Sequence, residues 1–329
     1  MIKNTALGLF LLLVSTVVVA NVDTYLGHEA ASAFMSEMSE EHDFSRQELE
    51  SWFTSATKKQ SILDAISRPA EKTLTWEKYR KIFLTSTRIK QGIIFWQNNQ
   101  EILAKAEQEF GIPPEIIVAI IGVETLYGKR QGSFRVIDAL STLAFDYPPR
   151  SRFFRKELKE FLLLAREQKQ DPLSLSGSYA GAMGYGQFIP SSYRAYAIDY
   201  DGDGFADIWR NEKDAIGSVA NYFKRHGWKT GEEVAVRSRL NKNHDKSLIN
   251  QSLKPSTNIA NLKSRGFLPT KPVNDGHSAT IMRLEGSWGE EFWLGLHNFY
   301  VITRYNHSRL YAMAVWQLSQ EILAEKSSS

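Results

Sequence analysis

Residues 113–128 read PPEIIVAIIGVETLYG, and this stretch constrains the fold most tightly. Pro113 and Pro114 suit the first turn of a helix, and Ile116 to Ile121 are apolar on every side. A helix without a polar face cannot lie at the surface, so other elements must surround it. Glu124 falls in its last turn, before Gly128. A carboxylate moved out of water without a partner costs several kcal/mol, roughly, unless it keeps its proton. Burial and the partial negative charge at the helix C-terminus both oppose ionisation there, which suits a general acid. A structural ion pair with Lys129, Arg130 or Arg135 is the alternative this stretch leaves open.

The 329 residues are 43% hydrophobic and 12% aromatic, enough for a sizeable core and more than one lobe. A net charge of +3 is too mild to point to nucleic acid. Lys3, the apolar run Ala6 to Ala20 and the small residues before Asn21 predict a secretory signal over 1–20. The chain has no cysteine, which excludes disulfides and an N-terminal lipid-modified cysteine. After signal cleavage no stable membrane anchor is expected.

Helical periodicity dominates 21–110. Ser45 and Glu48 form a capping box ahead of Leu49, Trp52 and Phe53, and one apolar face runs from Thr87 through Ile102 and Leu103. Gly111-Ile112-Pro113-Pro114 breaks this unit from the next, 111–230, where helices fit Arg152 to Gln168 and Asp214 to His226. Over 231–290 short alternating segments, Glu233 to Leu240 and Ser278 to Leu284, predict a small β-rich insert. Helical spacing returns over Leu310 to Ile322 in 291–329, a segment expected to pack back on the middle of the chain. The fold class is mainly α (α+β). Trp76, Trp96, Trp228 and Trp293 read as core.

Two further stretches carry chemistry. SGSYAGAMGYGQFIPSSY, Ser176 to Tyr193, interleaves small residues with tyrosines and the amide of Gln187, a mixture suited to sugars. Its glycines are misordered for a dinucleotide loop, and Ser178 lacks a nucleophile elbow. In DYDGDGFAD, Asp199, Asp201 and Asp203 fill positions one, three and five of an EF-hand-like loop; Gly204 is at six, the Phe205 carbonyl at seven and Asp207 at nine. Calcium is the expected ion, in a structural role. Arg210 replaces the customary glutamate at position twelve. The histidines show no zinc spacing.

GVETLYG around Glu124, the stretch around Gln187, and RYNHSRLYA from Arg304 to Ala312 together resemble the membrane-bound lytic murein transglycosylase B family. The likeness runs from about Phe34 to Leu318. It implies a lysozyme-like catalytic core over 111–230 and cleavage of the MurNAc-GlcNAc β-1,4 bond of peptidoglycan without water, leaving 1,6-anhydro ends. Glu124 would be the catalytic carboxyl, acid first and base second, assisted by the substrate N-acetyl group. Asp138, Asp146 and Glu157 remain alternatives for a second acid. By the same likeness Ser178 and Gln187 would hold or line the N-acetyl site, Tyr222, Tyr305, Asn306 and Tyr311 would bind glycan, and Asp214 would close the calcium loop. Phe153 stands where the family can have tyrosine. Peptidoglycan strands are the implied partner, alongside cell-wall synthesis or remodelling proteins, and the periplasm of a Gram-negative bacterium is the implied location. A non-catalytic wall-binding protein and a lysozyme-type hydrolase are the competing classes. The cations Arg150, Arg152, Arg155 and Lys156 are a further expected contact for peptide-stem carboxylates.

Overall fold

The computed structural model describes residues 24–67 and 74–328; the signal expected over 1–20 lies outside them. No helix among the described residues is long and apolar enough to cross a membrane. Among the described residues six helices precede the break at Gly111: α1 (Glu29–His42), α2 (Arg46–Ser55), α3 (Gln60–Ile66), α4 (Trp76–Phe83), α5 (Ser86–Asn98) and α6 (Gln100–Phe110). Ser45 caps α2 by accepting from Glu48 N–H, as its capping box requires. The single apolar face expected from Thr87 to Leu103 is divided between α5 and α6. Asn99 leaves helical geometry there and donates its side-chain amide to Phe95 O and Glu212 Oε2.

Gly111, in the left-handed conformation, ends α6, and Pro114 opens α7 (Pro114–Thr125). Nearly every residue of α7 is buried, because α14 (Arg309–Ser328), α5, α6 and α11 (Glu212–Arg225) pack around it. α8 (Val136–Asp146) lies against α9 (Ser151–Glu167), which in turn packs on α10 (Pro190–Tyr196). A short antiparallel pair, β1 (Phe134–Arg135) with β2 (Ser176–Gly177), ties the segment after α7 to the glycine-rich stretch.

The remaining strands are β3 (Ala235–Leu240), β4 (Thr257–Asn258), β5 (Phe267–Pro269), β6 (Ser278–Gly286) and β7 (Gly289–Gly295). They form an antiparallel sheet in the order β4-β6-β7-β3-β5, with α12 (Ile259–Ser264) between β4 and β5. Successive residues point to opposite faces. Val236, Ile281 and Leu294 therefore build a small core of their own with Ile259, Leu262 and Phe267, while Ala235, Met282 and Trp293 face the main core. Trp293 meets Trp316 of α14 edge to face at 5.3 Å. Trp76, Trp96 and Trp228 are buried as expected. α13 (His297–Tyr305) and α14 then carry the chain back to α7.

Candidate active site

α7 delivers Glu124 to the edge of the core, where the backbone turns abruptly. Leu126, Tyr127 and Gly128 all adopt positive φ, which ends the helix at Thr125. The Tyr127 ring anchors this turn by entering the space above Gly92 and Gly122, and its hydroxyl donates to Arg88 O at 3.0 Å. Thr125 Oγ1 donates to Tyr185 O and accepts from Gly128 N–H, joining the turn to the glycine-rich stretch.

Tyr311, in the first turn of α14, donates its hydroxyl to Glu124 Oε1 at 2.5 Å. Its ring is buried and lies parallel to that of Tyr305, centroids 6.5 Å apart. Burial above all raises the pKa of Tyr311 well above the phenol range, and Tyr305 is raised by the same cause. Both phenols therefore stay protonated as donors. The Tyr305 hydroxyl donates a hydrogen bond to Gly186 O at 2.5 Å, and a Cβ on Gly186 would stand 2.8 Å from that oxygen atom of Tyr305. Glycine is needed there for the ring to approach. Tyr222 packs on Tyr305 and Phe188, and its hydroxyl is engaged by Arg304 O.

The other residues singled out in the sequence have the following contacts. Gln187, itself at positive φ, donates its amide to Gln131 O and Gly184 O. Ser178 Oγ accepts from Ala180 and Ala182 N–H, so it shapes the turn that leads to Gln187. Asn306 occupies the extended residue between α13 and α14, its carbonyl accepting from Ser308 N–H. Phe153 lies on α9, beside Phe154, under the Arg150 guanidinium at 4.3 Å. Gln131 escaped the sequence reading. Its amide donates to both Gly128 O and Trp209 O while its carbonyl receives Gln187, so one residue links three segments of the site. An isolated glutamine in a loop gives no periodic or compositional signal.

Of the charges offered as structural partners or second acids, Arg135, Asp138, Asp146 and Glu157 are engaged elsewhere. Arg135 pairs with Asp138, which also accepts from Thr57 N–H. Asp146 accepts from Lys58 and from the Tyr25 hydroxyl. Glu157, buried on α9, accepts from Ser191 N–H and Oγ–H, and burial raises its pKa despite those two donors. In the cationic cluster, Arg155 pairs with Glu37.

In the acidic loop, carboxylate oxygens of Asp199, Asp201, Asp203 and Asp214 lie within 4.8 Å of one another. Asp199 accepts from Gly202, Asp203 and Gly204 N–H, winding the loop around its own carboxylate. Buried Asp214 reaches in from α11 and accepts from Tyr200 and Asp207 N–H. A set of four carboxylates fits a hard, oxygen-loving cation of calcium's type. Asp207 turns its Oδ1 to Trp209 and Arg210 N–H, and the Phe205 carbonyl accepts from Asp207 N–H.

A family model described as the transglycosylase SLT domain matches residues 27–320. The chain belongs to this transglycosylase SLT family. It is 45% identical over 301 residues to the membrane-bound lytic murein transglycosylase B of Escherichia coli, spanning 89% of this chain and 82% of that one. Among solved structures, a catenated lytic transglycosylase from Pseudomonas aeruginosa is similar at 54% identity and a TM-score of 0.88, covering 92% of this chain and 99% of its own. An Escherichia coli lytic transglycosylase solved in complex with calcium follows at 43% identity and a TM-score of 0.85, covering 93% and 96%. The SLT fold of these relatives is the mainly helical, lysozyme-like architecture described above.

Proposed function

We propose that this SLT-family chain is a lytic murein transglycosylase that breaks the MurNAc-GlcNAc β-1,4 bond by transferring the sugar's own 6-hydroxyl to its anomeric carbon. The observation that carries this reading is the hydrogen bond from Tyr311 to Glu124. It unites two motifs 187 residues apart at the end of a buried helix, within an aromatic cluster suited to sugar faces.

Tyr311 donates to Oε1 of Glu124, which enters the reaction carrying a transferable proton. It passes to the glycosidic oxygen as the bond to the anomeric carbon breaks, and the substrate's acetamido oxygen stabilises that carbon. Glu124, now a carboxylate, takes the proton of the 6-hydroxyl as that oxygen attacks. Glu124 is then reprotonated by the proton it removed, and no water is consumed. Ordinary glycosidases divide this work between two carboxyl groups. The engagement of Asp138, Asp146 and Glu157 with structural partners agrees with a one-carboxylate route. Tyr305, Asn306, Tyr222, Ser178, Gln187 and Phe153 form or shape the glycan cleft, the tyrosine hydroxyls chiefly by fixing ring positions.

Asp199, Asp201, Asp203 and Asp214 would hold calcium, with the Phe205 carbonyl and Asp207 as the further ligands of the loop. A bound ion would neutralise their crowded charge and stiffen the loop. Asp207 then caps the turn whose Trp209 carbonyl receives Gln131. The protein acts in the periplasm after removal of 1–20.

Purified sacculi incubated with the parent should release muropeptides with anhydro ends, identified by mass. Because a general acid contributes about a hundredfold or more, Glu124→Gln should release them at least that much more slowly. Undiminished release by the variant would reject Glu124 as the acid.

A further inference from the structure

Arg88 lies in the first turn of α5, yet it meets the end of α7 twice. Its Nε donates to Gly122 O at 3.0 Å, just before Glu124 in the chain. Its own carbonyl accepts the Tyr127 hydroxyl at 3.0 Å, just after. The path from Gly122 to Tyr127 is thereby closed through one residue of α5, with Glu124 inside the loop. Thr85, the N-cap of α5, fixes the backbone of Arg88 by accepting its N–H at 3.2 Å.

This arginine is only 7% exposed. A cation leaves water at a high cost unless its donors are met. Here Nη1 donates to Ile82 O and, at 3.2 Å, to Phe83 O, the last carbonyls of α4, while Nε reaches Gly122 O in the last turn of α7. Two helices thus present their partially negative ends to one buried cation. The Phe83 ring lies 5.2 Å from the guanidinium carbon. Apolar side chains would fill such a space at least as well, so what the guanidinium adds is direction. Gly122 O also accepts Leu126 N–H at 3.2 Å, and the next two residues, Leu126 and Tyr127, hold a strained positive φ. A turn of that kind needs support from outside its own segment.

We propose that Arg88 is a positioning residue for Glu124: its side chain and its own carbonyl grip the end of α7 at Gly122 and Tyr127, on either side of the acid. A lone arginine in a helical stretch carries no signal of this in the sequence. The inference rests on the reading of Glu124 as the acid.

The test separates placement from folding. In Arg88→Met, muropeptide release from sacculi should slow about ten- to a hundredfold, the loss expected when an acid is displaced by about 1 Å. Co-sedimentation with sacculi should stay at the parent's level, because the tyrosine cluster is untouched. Arg88→Lys keeps the cation and should recover part of the rate. Tyr127→Phe retains the ring and loses only the hydroxyl, so it reports on the clamp even where Arg88→Met fails to fold; release should slow about threefold or more. Amide hydrogen exchange over 121–130 should quicken in these variants and keep the parent's rate in β6 and β7. A merely structural Arg88 would lower Tm and leave release below that Tm intact. Release at the parent's rate in either Tyr127→Phe or a folded Arg88→Met, or unchanged exchange over 121–130, overturns the clamp. A Glu124→Gln variant that cleaves as fast as the parent overturns the acid reading instead, and exchange alone then decides whether Arg88 holds the turn.

Discussion

Tyr311 sets one hydroxyl on the carboxyl of Glu124. Hydrogen bonds to a charged group contribute about 1.5–3 kcal/mol, so Tyr311→Phe should lower kcat on sacculi by about ten- to a hundredfold. Binding of sacculi, measured by co-sedimentation, should persist, because the ring and its contact with Tyr305 survive. A kcat within about twofold of the parent would remove Tyr311 from the reaction. Glu124 was legible in the sequence because it interrupts an otherwise apolar run. Its hydroxyl partner was not legible from spacing, since that contact exists only once α14 packs on α7. The resemblance marked Tyr311 and Tyr222 alike as sugar contacts. Geometry separates them: one hydroxyl faces Glu124, the other a backbone carbonyl.

Among the elements, the helix starts and stops with chemical markers were the easiest to read: Gly111 and Pro114, Ser45 with Glu48. The split at Asn99 was not, because the apolar face continues across it and the interruption is stabilised by distant Glu212. The left-handed turn after α7 has a signal only at Gly128; Leu126 and Tyr127 adopt that conformation at a cost of roughly 1–3 kcal/mol each, offset by Tyr127 packing. The acidic loop was legible from its spacing. If it holds calcium, the ion at a hundredfold excess over Kd adds about 2.7 kcal/mol to stability, and Tm should rise accordingly. Asp201→Ala should abolish that rise, and a flat response in the parent would reject the ion. Glu157 offers a pH test of the junction of α9 and α10. Its raised pKa means its contribution is fully present below the ordinary carboxylate range and declines as pH rises through the folded value. Glu157→Gln does not titrate, so its Tm should gain on the parent's as pH increases. A difference independent of pH, or one of opposite slope, would contradict this.

At the scale of the whole molecule, the mainly helical class followed from periodicity, and the β-rich insert from the change to alternation after Gly231. The sheet's double allegiance did not follow. Alternation reports two faces but not that Val236 and Leu294 line a separate core while Ala235 and Trp293 join the main one. Long-range closure is what assembles the site: α14 arrives last in the chain and completes the surroundings of a helix formed two hundred residues earlier, roughly, through contacts that local propensity cannot encode.

The central claim, that the acceptor is the sugar's own hydroxyl and not water, is tested most directly by digesting sacculi in water enriched in heavy oxygen. Mass spectrometry of the new muramic ends should find anhydro rings free of the label, at any enrichment. Reducing ends carrying the heavy oxygen would show that water attacks, and would contradict the account.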